Sequence, residues 1–301
     1  MKKHDIKLSD NSYSFVLTIP ATILTAIFII VPIIQSLIMS FQKYGVKNII
    51  SGKPGTWNNL RNYIKLFEAN QIPEAAYHTL WFVLFVIILQ FIIGMALALV
   101  LNREFKGSRF IRSIMMTPWV VPTVISGLIW MWLFQPQYGF AKYFISIISF
   151  GNINDLAILN NPETALGGIA IAALWKQIPL TTLLLLAGLQ NVPNSSLEAA
   201  TIDGAGEVRK FVSIVLPYLS PVIKIAMSMS IIENFKQFPL FWTMTGGGPN
   251  GATTNFAILS YREAFVSMNL GSGAAVTTIW MLMMIIIVGI YQKSFKVQDM
   301  S

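Results

Sequence analysis

Residues 194–217 read NSSLEAATIDGAGEVRKFVSIVLP and separate two long apolar runs. A polar stretch between runs of that length lies outside the hydrocarbon of a membrane. It opens like a helix: Ser195 suits an N-cap and Glu198 stands three residues later, the spacing of a capping box. Ala199, Ala200 and Ile202 continue it with a small-residue face. Gly204 is placed to end it in the left-handed conformation. A second helical stretch, Glu207 to Val215, leads on to Leu216 and Pro217. A connector between spans could be shorter and looser. A rigid small-residue helix suits insertion into a cleft on another protein.

Working outward, the composition agrees with a membrane setting. Hydrophobic residues make up 54% of the 301 and charged residues 11%. Soluble chains carry roughly 25% charged residues. The fold class expected is an all-α membrane protein with about six spans of ~20 residues. With no cysteine there is no disulfide and no thiolate metal site, and His4 and His78 lie too far apart in sequence to suggest a histidine site. No metal site and no catalytic residues are expected. The net charge of +8 is scattered over tails and loops, which suits anionic lipid better than nucleic acid.

The expected order is a polar tail at 1–12, a first transmembrane helix at 13–41 and a loop at 42–76. A core of five spans follows at 77–292, then a tail at 293–301. The first apolar stretch, Ser14 to Met39, reads as a retained span and not as a cleaved leader. Within the loop, 57–67 reads as a short amphipathic helix with Leu60, Ile64 and Phe67 at helical spacing. The second span is expected at His78 to Leu101 and the third at Ile111 to Phe134, containing Pro118 and Pro122. A polar loop should then run from Gln135 to Thr164. The fourth span is expected at Ala165 to Leu189, the fifth at Val215 to Phe235 and the sixth at Ser272 to Tyr291, with an irregular segment from Phe238 to Gly271. If the 191–213 loop is cytoplasmic, alternation puts both termini and the basic loop of Arg103, Lys106 and Arg109 on the same side.

Ionisable groups inside spans are costly and mark pathways. Glu233, Lys236 and Gln237 share one helical face, with Asn234 one step off it. Such a strip can hydrogen-bond the hydroxyls of a passing solute; the other reading pairs Glu233 with Lys236 at the interface. Lys176, in Trp175-Lys176-Gln177-Ile178-Pro179-Leu180, either contacts substrate or neutralises Glu233.

The 194–217 stretch also carries a resemblance. Glu198-Ala199-Ala200, Gly204, Ile214, Leu216 and Pro217 match the E-A-A-x3-G-x9-I-x-L-P pattern of ABC importer permeases at every defined position. Thr245-Gly246-Gly247-Gly248-Pro249 through Thr253 is similar to the T-x-G-G-P-x-x-x-T stretch of maltose-type carbohydrate permeases. No Gly-Lys-[Ser/Thr] follows those glycines, so they are no phosphate loop.

The resemblance implies a type I ABC importer permease fold of six transmembrane helices in a bacterial plasma (inner) membrane, with both termini cytoplasmic. It makes Glu198, Ala199, Ala200, Asp203 and Gly204 the residues that couple to the ATPase. It places Gln177, Leu180, Glu233, Asn234 and Gln237 on the sugar path, with Lys176 beside them. Partners implied are a second homologous permease, an ATP-binding cassette ATPase dimer that holds the Mg-ATP, and an extracytoplasmic solute-binding protein. The chain itself is expected to bind no cofactor and to perform no covalent chemistry. Glu233 and Lys236 depart from the aromatic and amide residues of maltose-type members, so aromatic stacking on a sugar must come from elsewhere. Two alternatives stand beside the sugar importer: a permease of the same fold for a polyol or oligopeptide, and an ion-coupled secondary transporter.

Overall fold

A computed structural model describes residues 10–103, 105–148 and 157–294. Lys2, Lys3, Lys7 and Lys296, in the expected tails, lie outside the described residues.

In chain order, α1 (Asp10–Thr25) passes through a π turn at Ala26–Ile30 into α2 (Val31–Ser40). Strand β1 (Gln42–Lys43), helix α3 (Val46–Ser51) and strand β2 (Thr56–Trp57) follow, Gln42 pairing antiparallel with Trp57. Next come α4 (Arg61–Glu68), α5 (Gln71–Leu101), α6 (Ser108–Met115), α7 (Thr117–Val120), α8 (Thr123–Leu133) and α9 (Phe140–Ile148). Then α10 (Pro162–Leu189), α11 (Asn194–Ile202) and α12 (Glu207–Lys210) lead through a π turn into α13 (Leu216–Phe235). Helices α14 (Pro239–Met244), α15 (Phe256–Tyr261) and α16 (Leu270–Ser294) complete the order. Among the described residues, five helices are long and apolar enough to cross a membrane; a sixth crossing exists if one sharply bent pair is counted as a single span.

That pair is the expected third span, and it corrects the reading of 111–134 as one continuous helix. Ser108–Val120 and Thr123–Leu133 meet at 95°. Pro122 is the cause. It supplies no N–H and forces the residue before it into extended backbone, and Val121 sits at φ −61°, ψ 131°. Four smaller corrections follow. The second span starts seven residues early, at Gln71, so that α5 is about 46 Å long at 1.5 Å per residue. The fourth begins at Pro162, where Asn161 caps the helix by accepting the Glu163 N–H at 3.0 Å. The loop 135–164 contains the apolar helix α9, and the irregular segment 238–271 contains α14 and α15. Those short helices are held by burial of Leu240, Phe241, Met244, Phe256 and Ile258, which local pattern in so few residues does not announce.

The chain divides into two compact units. One comprises the residues up to 69 together with 260–279. Its centre is Asn62, whose amide donates to the Ser40 and Gln42 carbonyls at 2.8 and 2.9 Å. Tyr63 Oη donates to Ser40 Oγ at 2.7 Å. Asn62 and Leu66 are therefore the buried face of α4. Its apolar stripe of Leu60, Ile64 and Phe67 is more than half exposed, as a surface-seeking helix requires. The helix starts at Arg61 and not at 57, because Trp57 is taken into the hairpin.

The other unit comprises 70–259 and 280 onward. Its core joins Phe82 and Val86 of α5, Ile169 and Ala173 of α10, Phe235 of α13, and Leu240 and Phe241 of α14. A second cluster joins Ala98, Leu101, Leu185, Leu189 and Leu219. Helices α5 and α10 run closely side by side, because Gly94 faces Thr181; a Cβ there would lie 3.2 Å from the threonine methyl.

Candidate functional site

Between α5, α7, α8, α10 and α13 lies a cavity of about 530 Å³. On α10, Lys176, Gln177, Leu180, Thr181 and Leu184 recur at helical spacing and form one wall. On α13, Ala226, Met229, Ser230 and Glu233 form the facing wall, continued by Lys236 and Gln237 just past the helix end. Gln90 of α5, Trp119 of α7 and Thr123 of α8 close the remaining sides. Five of the six residues expected on the path, Lys176, Gln177, Leu180, Glu233 and Gln237, thus meet in one space. The sixth, Asn234, stands behind Gln177 and is 1% exposed.

Each polar side chain has a defined setting. Gln177 and Asn234 exchange a reciprocal pair of amide hydrogen bonds at 3.0 and 2.9 Å. Asn234 Nδ2 also donates to the Ser230 carbonyl at 2.9 Å. This locks α10 to α13 and fixes Gln177 at the cavity wall. Glu233 and Lys236 form an ion pair at 2.9 Å with both side chains more than half exposed, which is the pairing alternative of the sequence reading. Lys176 Nζ donates to the carbonyls of Trp119 and Val121. Those carbonyls stand at the Pro122 break, where the following turn supplies no helical N–H. Lys176 therefore caps the broken helix from across the cavity.

The glycine-rich turn supports the same site. Thr245 Oγ1 and Thr253 Oγ1 are 2.7 Å apart, and Thr253 Oγ1 donates to the Gly248 carbonyl at 2.7 Å. Beyond them, Asn255 Nδ2 donates to the Gln237 carbonyl at 2.8 Å. Asn255, just past the turn, thus ties the Gln237 backbone to it. Sequence reasoning missed the other lining residues, among them the polar or aromatic Gln90, Trp119, Thr123, Thr181 and Ser230. Trp119 is an aromatic residue among those that line the cavity, a kind lacking from its α13 wall. A polar residue at Gln90 inside an otherwise apolar span was a signal that could have found it.

The second element of the site is α11. Its N-cap is Pro193, with no side-chain cap, so Ser195 lies inside the first turn and the expected Ser195–Glu198 capping box is absent. The helix begins earlier because Pro193, itself extended, offers its carbonyl to the Ser196 N–H at 3.2 Å. The C-terminal end is as expected. Gly204 has φ +77°. Ala205 N–H reaches Ala200 O at 2.9 Å and Gly204 N–H reaches Thr201 O at 3.0 Å, a Schellman motif. Glu198, Ala199, Asp203 and Gly204 are exposed and Ala200 is half-buried. Ile202 is 86% and Val208 78% exposed, apolar side chains set on a polar loop.

Several spans around a cavity lined by both apolar and polar side chains, with a capped helix in the loop between two of them, define a membrane transport permease. The chain belongs to the binding-protein-dependent transport system inner membrane component family, which it matches over residues 90–296. It is 33% identical over 288 residues to the trehalose/maltose transport system permease protein MalF of Thermococcus litoralis, covering 96% of this chain and 95% of that one. It is 29% identical to the sulfoquinovosyl glycerol transport system permease protein SmoG of Agrobacterium fabrum, over 98% of this chain and 94% of that one. It is 33% identical to the sn-glycerol-3-phosphate transport system permease protein UgpA of Yersinia enterocolitica, over 90% of each. The fold is similar, with a TM-score of 0.78, 19% identity and 94% coverage of both chains, to a chain of a bacterial ABC transporter involved in the import of the acidic polysaccharide alginate. The protein is a multi-pass inner-membrane permease subunit of an ABC importer, not itself the catalytic subunit. This excludes the ion-coupled alternative.

Proposed function

We propose that the chain forms half of the translocation pathway for a sugar or oligosaccharide handed over by a solute-binding protein. The observation that carries this is the cavity's mixture of groups: amides at Gln177 and Gln237, hydroxyls at Thr181 and Ser230, and an aromatic surface at Trp119. Hydroxyl-rich rings bind to such sets, their polar edges to amides and their apolar faces to aromatic rings. The solutes named for the three relatives are polyhydroxylated, which supports the same class. A polyol phosphate like that named for one relative is the second reading; Lys176 and Lys236 line the cavity, engaged by backbone carbonyls and by Glu233 respectively.

In this reading a second homologous permease completes the pathway, and an ATPase dimer carries the Mg-ATP. Glu198, Ala199, Ala200, Asp203 and Gly204 dock in the ATPase, and the rigid α11 passes its closure to the spans as a rocking motion. Residues 1–12 and 293–301 are cytoplasmic tails, 13–41 the first span, 42–76 an extracytoplasmic loop that ends in the first turns of α5, and 77–292 the core containing the 191–213 coupling loop.

The test is ATP hydrolysis by the full importer reconstituted with its binding protein. The panel holds neutral mono-, di- and oligosaccharides, polyols, short peptides and sn-glycerol 3-phosphate. Stimulation by a saccharide supports the reading. Stimulation by peptides alone overturns it.

A further inference from the structure

The α5 wall of the cavity holds one polar atom that nothing among the described residues satisfies. Gln90 lines the cavity and is 3% exposed. Its Nε2 donates to Thr181 Oγ1 on α10 and to Ser230 Oγ on α13, the latter at 3.0 Å. Its Oε1 is shielded from solvent and has no hydrogen-bond partner. Exchanging the two amide atoms does not cure this. The oxygen would then accept from both hydroxyls, but the NH₂ group would lose both of its acceptors. Nearby polar groups are committed elsewhere, Gln177 to Asn234 and Lys176 to the backbone of the broken helix. Buried acceptors in native proteins are seldom left in this state.

We propose that Gln90 is a specificity-determining residue whose side-chain oxygen accepts a hydrogen bond from a hydroxyl of the transported sugar. A small turn about the soft terminal torsion of the amide presents that oxygen to the cavity. The group selects for donors: a hydroxyl satisfies it, while a carboxylate or phosphate oxygen, which only accepts, leaves it unpaired. A purely structural tie between α5, α10 and α13 accounts for the two donated bonds and not for the empty acceptor. The inference rests on the sugar reading above and assigns one recognition contact within it.

The test uses monodeoxy derivatives of whichever saccharide stimulates the wild-type importer in that panel. Substrate-stimulated ATP hydrolysis is compared between wild type and Gln90→Leu. In wild type, removing one particular hydroxyl should lower kcat/KM about tenfold, and in Gln90→Leu the same removal should cost less than about twofold. Discrimination by the binding protein is common to both forms and cancels in the comparison. Equal penalties in the two forms at every deoxy position overturn the assignment and leave the sugar reading standing. If no saccharide stimulates the wild type, the sugar reading falls and takes this assignment with it. Should Gln90→Leu fail to assemble, Gln90→Met and Gln90→His are put through the same comparison.

Discussion

Gln177 and Asn234 show how much the neighbour of a polar side chain decides. Each amide was legible as a candidate from its place in an apolar span. Their mutual pairing was not, because 57 positions separate them. A buried amide left without its partner costs about 1–3 kcal/mol, whereas removing both members can be nearly neutral. Asn234→Leu alone should therefore lower the thermal stability of the purified protein more than Gln177→Leu with Asn234→Leu together. Thermal unfolding in detergent measures this, and strictly additive losses would show that the pair is not coupled. Lys176 teaches the same lesson from the other side. A lysine inside a span invited a partner of opposite charge, and Glu233 was the nearest in the sequence reading. The carbonyls freed by Pro122 claimed it instead.

At the scale of the element, α11 is held by its end and not by its beginning. Its start needs no Ser195 cap, while its C-terminal Schellman turn depends on Gly204 at φ +77°. A side chain in that region costs about 1–2 kcal/mol, less for Asp and Asn. A Cβ at Gly204 meets nothing within 4 Å in this chain, so the cost within the permease is conformational and not steric. Gly204→Asp should leave expression and membrane insertion intact yet abolish the response of ATP hydrolysis to substrate, with uptake falling at least about tenfold. Normal uptake by this variant would remove α11 from the coupling machinery. The elbow at Pro122 is the opposite case. Proline inside a membrane helix is often tolerated; here the break at Pro122 is held by packing of α8 on α14, of α7 and α8 on α10, and by the Lys176 cap.

For the whole molecule, the coupling assignment requires that α11 face the cytoplasm. The chain has no cysteine, so single cysteines can be placed at will. Ser195→Cys on the α11 loop and Asn250→Cys on the glycine-rich turn should react from opposite sides. A membrane-impermeant maleimide is expected to label Asn250→Cys in intact spheroplasts and Ser195→Cys only after the membrane is broken. Labelling of Ser195→Cys in intact cells would reverse the topology and end the coupling assignment. The first helix bears on the same scale. Within Leu17–Ser40 the apolar window is not buried by any of the described residues, which suits cover by lipid or a partner subunit.

Five long apolar spans, the polar loop at 194–217 and the left-handed glycine at its end were determined by the sequence alone. They rest on run length and on local backbone preference, which need no distant contact. The shape of the cavity was decided only in three dimensions. Trp119 reaches it because Pro122 turns the third span through a right angle, and Gln90 because Gly94 lets α5 lie close against α10. Both depend on side chains meeting across many tens of residues, where periodicity along the chain says nothing about which face will find which partner.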